Sequence, residues 1–384
     1  MYLITFIKKH DIITFTRGDA MRVVISAGGT GGHIYPALAI LRKIKQEEAD
    51  SEFLYIGTTD RMEKDLIPNL DIPYVGIEIE GFVRKLSPEN IKTLVKFFKA
   101  RRKCLKIIKE FKPDVVIGAG GYVTGPVIWA GKKLGCKTFI HEQNSVVGLA
   151  NRYLSKYADK IGVCFESVMA NFPSQKVELT GNPCSEQALK TPKANLENLG
   201  LDKDKKTVLI VMGSQGSKII NEKMIEYIYG FRNKNYQVIY ISGKNYYEKI
   251  KSRVFPPNVK VFPFIENLPS VMKVVDLMVS RAGASTISEI TALGIPTIFI
   301  PSPHVTDNHQ FKNANDLVEK DAALMLEEAS LTKHNFIKQI DDILDDDDKY
   351  NEIKENVKKF GISDSSSRIY NILKEMISND RKFY

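Results

Sequence analysis

The sequence predicts an α/β protein: two Rossmann-like domains whose parallel sheets face each other across a cleft. Three observations predict it. Short apolar runs alternate with longer amphipathic stretches along the chain. The alternation restarts after a polar segment. Each half opens on an apolar run that enters a glycine loop, "VVISAGGTGGH" at 23–33 and "VLIVMGSQGS" at 208–217. Strands alternating with helices at this spacing form βαβ units and parallel sheets. Right-handed crossovers then gather the loops leaving the strand C-terminal ends along one edge, which is where ligands bind in such sheets.

The predicted strands are 22–27, 53–57, 114–118, 137–141, 161–164, 208–212, 237–242, 259–262, 276–279 and 297–300. Helices are expected between most of them, at 34–46, 89–110, 148–156, 217–229 and 285–293. Residues 22–183 hold one set and 207–330 the other, so 184–205, polar and poor in aromatics, reads as the interdomain segment. This gives a first domain over 21–183 and a second over 184–366. Residues 1–20 read as a dispensable extension, with Met21 as the alternative start and an edge strand at 2–7 as the competing reading. The acidic run Asp341 to Asp348 reads as a solvated helix end, because consecutive aspartates on one exposed stretch converge poorly on a cation. No required metal is expected.

Composition narrows the function classes. The chain has 384 residues, 43% apolar and 26% charged, which excludes global disorder. No apolar run reaches the roughly 18 residues that a transmembrane helix needs. Fifty-five Lys and Arg against 46 Asp and Glu leave a net charge of +9. That excess favours an anionic partner: nucleic acid, a membrane face or a phosphorylated substrate. The four cysteines, at 104, 136, 164 and 184, match no zinc or redox spacing and suggest a reducing cytoplasm. Residues 81–112 hold eleven Lys or Arg and two Glu. Ile91, Leu94, Val95, Phe98, Leu105 and Ile108 recur there at helical spacing, with Phe82, Val83 and Phe97 outside that stripe. A basic amphipathic helix of this kind docks on anionic lipid surfaces. No stacking-aromatic or helix-turn-helix motif supports a nucleic-acid partner.

The chemistry concentrates in the loops. Gly28 to Gly32 let the backbone approach an anion, and the helix behind them aims its N–H groups at the same place. The dinucleotide fingerprint fails because Ile34 takes the third glycine's position, and the chain has no G-K-[ST] phosphate loop. His33 falls in the first helical turn, where the dipole disfavours a cation, so a neutral imidazole there can act as a general base. "GAGGYVTG" at 118–125 is a second glycine loop, and "FIHEQN" puts His141, Glu142, Gln143 and Asn144 at a strand end. Glu142 is the second candidate base, with a loop-orienting role as the alternative. Thr286 and Glu289 have capping-box spacing, or else Glu289 accepts from a ribose diol. "PSPHVTDNHQFKNA" at 301–314 is rich in groups that read sugar hydroxyls.

Six motifs in one order carry a family resemblance: "GGTGGHIYPALAI", "GAGGYVTGP", "HEQNSVVGLAN", "TGNP", "GSQGS" and "RAGASTISEI" followed by "GIP". From Met21 to about residue 330 the chain resembles the MurG family, the UDP-N-acetylglucosamine–N-acetylmuramyl-(pentapeptide) pyrophosphoryl-undecaprenol N-acetylglucosamine transferases, or lipid II synthases. The resemblance implies a GT-B fold with the donor held mainly by the second domain and a final helix, 367–384, returning to the first. It implies an inverting transfer to the C4 hydroxyl of lipid I, without metal or cofactor, at the cytoplasmic face of the membrane. Its partners would be UDP-N-acetylglucosamine, the lipid-linked muramyl-pentapeptide acceptor and an anionic membrane surface, with no nucleic acid.

The resemblance also assigns the site. Thr30, Gly31, Gly32, Asn144, Ser214, Ile265, the stretch Ala284, Ser285, Thr286, Ile287, Ser288 and Glu289, and Gln310 would hold the UDP-sugar. Gly29, Gly120, Gly121 and Tyr122 would cradle the acceptor's diphosphate, and His33 or Glu142 would be the base. Many members carry an arginine two residues after the "GNP" proline. Here that position is Ser185, so either the donor contact is missing or Lys218 supplies it. Another glycolipid glycosyltransferase and a sugar-nucleotide epimerase are the nearest rival readings.

Overall fold

The computed structural model describes residues 20–81, 89–213 and 216–381. The readings on residues 1–19, Phe82, Val83 and Ser214 lie outside them.

Among the described residues the first sheet has seven strands: β1 (Arg22–Ser26), β2 (Glu52–Thr58), β3 (Tyr74–Ile77), β4 (Val115–Gly118), β5 (Lys137–Glu142), β6 (Lys160–Val163) and β7 (Val177–Leu179). The second has six: β8 (Thr207–Val211), β9 (Gln237–Ile241), β10 (Val259–Phe262), β11 (Leu277–Ser280), β12 (Thr297–Phe299) and β13 (Leu324–Met325). Their orders are β3-β2-β1-β4-β5-β6-β7 and β10-β9-β8-β11-β12-β13, parallel throughout. The central strands are buried on both faces, which is why they read as unbroken Val and Ile runs.

The first sheet is flanked by α1 (Gly31–Glu47), α2 (Glu63–Leu66), α3 (Glu89–Phe111), α4 (Thr124–Lys133) and α5 (Leu149–Leu154), and the chain then leaves through α6 (Pro183–Lys190). The second unit contributes α7 (Lys218–Tyr227), α8 (Lys244–Ile250), α9 (Leu268–Met272), α10 (Ala284–Leu293), α11 (His309–Val318), α12 (Lys333–Leu344) and α13 (Asp347–Lys358), and α14 (Ser365–Arg381) follows. The Asp341–Asp348 run ends α12 and opens α13. Asp341 accepts from Lys234 and Tyr236, and Asp346 caps α13 through the Lys349 N–H.

α14 lies on the first sheet. Ile369, Ile372, Leu373, Met376 and Ile377 share one core with Val23, Ile25, Val115, Phe139 and the inner face of α1. Burying a side chain of this size stabilises by roughly 1.5–3 kcal/mol. The Glu48 carboxylate ties the same helix down, accepting from Tyr370 and Lys374 as well as from the Met21 N–H.

The connection between the units is polar and buried. Asn182 caps α6 by accepting from the Cys184 N–H, with Pro183 in the first turn, a position where its missing N–H costs nothing. Glu186 accepts from the Ser366 hydroxyl and from the N–H and hydroxyl of Ser367, at the start of α14. It also pairs with Lys190 and with Lys43 of α1. Burial disfavours its charge, yet the bonds from Lys190, Ser366 and Ser367 hold its carboxyl down at about 2. Ser185 belongs to this junction and not to a ligand site. It is 1% exposed, and its hydroxyl is engaged with the Asn182 and Ile362 carbonyls and the Ser365 hydroxyl. The donor contact considered for it is therefore not made by this side chain. Lys218 opens α7 with its side chain in solvent, beside Glu222.

Candidate active site

In both sheets the strand order reverses between the first two central strands, β1/β4 and β8/β11. Ligands bind outside the carboxyl ends of strands at such a switch point. The described segments that leave these strands are the glycine loops 27–30 and 119–123, Met212 and Gly213 after β8, and the Arg281–Gly283 turn.

Thr30 is the extended N-cap residue of α1, and His33 is the third helical residue. Its Nδ1 lies 3.0 Å from the Gly28 carbonyl. A carbonyl only accepts, so Nδ1 carries the proton and Nε2 keeps a lone pair. Burial lowers the His33 imidazole below its ordinary value, which favours this neutral form; the Gly28 bond and the charges of Glu142 and Glu63 work the other way. His309, on α11 of the second unit, also acts on His33 electrostatically, so the two sheets' loops meet here.

The second loop interlocks with the first. The Gly28 N–H donates to the Gly120 carbonyl at 3.3 Å. Gly120 has φ +107°, and a Cβ on it would lie 2.9 Å from His33 Cγ and Nε2. Gly121 has φ +87°, and a Cβ there would lie 2.5 Å from the Gly28 oxygen. Both positions therefore require glycine, and Gly120 is the wall that His33 rests against. Glu63, absent from the predicted site, is fully buried and accepts from the Gly29 N–H and from the N–H and hydroxyl of Thr58. It fixes the first loop from behind. Arg61, also absent from the prediction, interacts electrostatically with Tyr122 and puts a solvent-facing cation beside the two loops.

Glu142 takes the loop-orienting role. It is 2% exposed and accepts from the Asn144 N–H, the Gly148 N–H and the Asn151 amide at 2.9–3.1 Å. Three of the roughly four acceptor sites of this carboxylate are taken by donors that shape its own loop, so the geometry favours it as a loop-orienting group over a base. His141 is equally structural: burial pushes it down to about 4, and it bridges the Gly181 carbonyl and the Gln143 amide. Asn144 alone of this group reaches the other unit.

On the second side, α10 begins after Gly283 without a side-chain cap, so the capping box expected from Thr286 and Glu289 does not form. Thr286 is already inside the helix. The unbonded N–H groups of the first turn are those of Ala284, Ser285 and Thr286. The Ile287 side chain is in the core at 3% exposure and its N–H bonds to the Gly283 carbonyl. The Ser288 hydroxyl donates to the Ser285 carbonyl. Glu289 has no hydrogen-bonding or ionic partner among the described residues, and burial raises its carboxyl to about 7. A buried carboxyl left unpaired this way is a functional-site candidate. Ile265 follows β10 at the same edge, half-buried against the core. The Gln310 carbonyl oxygen accepts from the Ser302 N–H, which leaves its NH₂ to donate. Arg281 is buried, paired with Glu328, and donates at 2.8 Å to Ser217, the N-cap of α7. It thereby anchors the start of α7.

Comparison with known proteins agrees with this geometry. The glycosyltransferase family 28 N-terminal domain matches residues 23–163 and the family 28 C-terminal domain matches 207–369. The UDP-N-acetylglucosamine–N-acetylmuramyl-(pentapeptide) pyrophosphoryl-undecaprenol N-acetylglucosamine transferase of Bacillus pumilus is 48% identical over 361 residues, covering 93% of this chain and 99% of the relative. One of that name from Bacillus cereus is 46% identical over 362 residues, covering 93% and 100%. The crystal structure of Acinetobacter baumannii MurG superimposes with a TM-score of 0.75 at 28% identity, covering 92% of this chain and 99% of that one. The calicheamicin glycosyltransferase, at 12% identity and a TM-score of 0.69, shares the fold. The two parallel-sheet units are thus a GT-B fold. The chain belongs to the MurG family of glycosyltransferases.

Proposed function

We propose that this enzyme moves N-acetylglucosamine from UDP-N-acetylglucosamine to the C4 hydroxyl of lipid I, giving lipid II, with His33 as the general base. The observation that carries the base assignment is the His33–Gly28 hydrogen bond, which leaves Nε2 unprotonated at the mouth of two glycine loops. The acceptor oxygen attacks the anomeric carbon of the α-linked donor, its proton passes to Nε2, and the bond to the UDP oxygen breaks on the opposite face. The product is the β-anomer. Charge developing on UDP meets the open N–H groups at the start of α10 and the α7 terminus, donors already in place before the reaction. Glycine loops carrying Gly29, Gly120 and Gly121, with Tyr122 and Arg61 beside them, hold the acceptor's diphosphate. Transfer of label from UDP-N-acetylglucosamine to a short-chain lipid I analogue, with EDTA present, tests donor, acceptor and metal independence together. Donor binding without transfer would point to another acceptor or to an epimerase, and no binding would sink the reading.

Glu289 gives a pH signature. A ribose diol donates to the ionised carboxylate, whereas the free enzyme's carboxyl is half-protonated at about 7. Affinity for UDP-N-acetylglucosamine, which has no phosphate titrating in this range, should therefore rise between pH 6 and pH 8 by about tenfold. In Glu289→Gln the affinity should be weaker and the slope gone. Calorimetry at three pH values reads both.

The same reading places the enzyme peripherally on an anionic membrane, at its cytoplasmic face. No helix among the described residues is long and apolar enough to cross a bilayer. What supports docking is the split face of α3. Ala100, Cys104, Ile107 and Ile108 enter the core, while Ile91, Leu94, Val95 and Phe98 are 68%, 45%, 49% and 51% exposed among basic residues. Phe97 packs partly inward, against the first core. Arg101 stacks 3.2 Å from the Trp129 ring centroid, so it serves the fold and is a poor site for charge reversal. Lys92, Lys99 and Arg102 are exposed. Reversing these three to Glu should weaken binding to phosphatidylserine vesicles by about a hundredfold or more, at roughly 1 kcal/mol per basic residue, and leave transfer to a detergent-free short-chain acceptor intact. Unchanged vesicle sedimentation would refute the docking surface.

A further inference from the structure

α11 carries Gln310, Asn313 and Asp316 at intervals of three, so they share one face of the helix. Asn313 is fully buried. Its Oδ1 accepts from both the backbone N–H and the hydroxyl of Ser145, each at 2.8 Å. Its Nδ2 donates to Asn144 Oδ1 at 3.3 Å and to the Ala282 carbonyl at 3.2 Å. Both acceptor positions and both N–H groups are used, so the amide has one orientation.

These partners come from opposite sides of the cleft. Asn144 and Ser145 follow β5 in the first domain. Ala282 immediately precedes Gly283, the N-cap of α10. One turn further on, Asp316 accepts from the Ser167 hydroxyl of the first domain at 2.7 Å. The Asn144 N–H is itself held by Glu142. A fixed chain of bonds therefore runs from the end of β5, through Asn144 and Asn313, to the residue that precedes the N-cap of α10.

We propose that Asn313 is a positioning residue that sets the register between the two halves of the active site. It acts through Asn144 and Ala282, holding the α10 terminus, where leaving-group charge develops, at a fixed distance from the loops that carry His33. This rests on the transfer reaction proposed above. The amide suits the task because it donates to one domain's carbonyl while accepting from the other domain's serine. Aspartate can keep the Ser145 bonds, but it opposes an acceptor to the Ala282 carbonyl.

Asn313→Ala, Asn313→Asp and the double variant Ser145→Ala/Ser167→Ala test it, with the unmodified enzyme run beside them. Misplacement on the scale of 1 Å costs about a hundredfold in rate. Both Asn313 variants should lose kcat by about that factor while the Kd for UDP-N-acetylglucosamine stays within about threefold, the pattern of an interaction used in the transition state. Turnover equal to the unmodified enzyme overturns the proposal. So does a parallel loss of donor affinity, which would mean that Asn313 only keeps the second domain intact. If Asn313→Ala fails to fold, the double variant decides: kcat lower by about tenfold with donor affinity kept supports the proposal, and unchanged kcat overturns it. If the unmodified enzyme does not use the lipid I analogue at all, the failure belongs to the reaction and not to Asn313.

Discussion

Replacing His33 by alanine is expected to lower kcat by roughly 10²–10⁴-fold, the range of a positioned general base, and to leave UDP-N-acetylglucosamine binding almost unchanged. The acceptor hydroxyl is a poor nucleophile while it holds its proton. Nε2 of His33 is the described base that combines a free lone pair with a place at the cleft mouth, because the Gly28 carbonyl occupies the other nitrogen. Burial lowers the imidazole below its ordinary value, which favours the neutral form. The sign of the pH dependence follows: kcat/KM should be flat above the ordinary histidine range and fall only on the acid side of it, where Nε2 protonates. His33→Ala should abolish that acid limb along with the rate. Glu142→Gln should behave differently. It removes charge from a carboxylate that orders the 144–151 loop, so its cost should appear in stability and donor affinity as well as in kcat. Near-normal turnover in His33→Ala would end the base assignment.

The second large effect is expected from one methyl group. Gly120→Ala should reduce turnover by about a hundredfold, since displacements near 1 Å carry that cost. The added Cβ cannot coexist with the His33 ring where it stands, 2.9 Å from two of its atoms. The ring must move off the Gly28 carbonyl or the second loop must lift from the first. Gly120 also has φ +107°, so alanine is strained whatever the space, at a cost of order 1–3 kcal/mol. Gly135→Ala separates the two contributions. Gly135 has φ +79° with nothing within 4 Å of a Cβ, and it lies far from the cleft in an exposed turn. That variant should lose stability and keep its kcat, while Gly120→Ala loses both. Equal kcat in the two variants would remove Gly120 from the catalytic geometry.

The long central strands and the major helices were legible in the sequence because parallel sheets write themselves as apolar runs. β3, β7 and β13 were not. They are edge or near-edge strands of four, three and two residues, too short for any period to register. The glycine loops and His33 were legible because their residue types are unusual at a strand end. The choice between His33 and Glu142 was not, since both lie at the C-terminal ends of strands or just beyond them. It turns on which polar groups each side chain has already satisfied, a property of three dimensions. The Thr286–Glu289 spacing misled for a related reason. It fits a cap, but α10 begins at Ala284, where the preceding turn ends, and the pair falls inside the helix. Ser185 misled because it was placed by analogy with a position usually held by arginine; here the site is filled by the α6–α14 junction. Glu63 gave no signal, and Asn313 was flagged only as part of the 301–314 stretch, without its interdomain role. Each is an ordinary polar residue in a polar stretch, and its work depends on partners 34 and 168 residues away.

The packing of α14 on the first sheet has a consequence for how the chain is made. The first domain is discontinuous: the whole second domain is threaded between its body and the helix that covers β1. Domains usually complete themselves in the order of synthesis. Here the earlier domain has to wait, with the face bearing Val23, Ile25 and Val115 uncovered, while the ribosome produces every strand of the later one. The nascent intermediate is then a finished second domain tethered to an unfinished first domain. Chaperone dependence, proteolytic sensitivity and tolerance to C-terminal fusions should all centre on that one uncovered face.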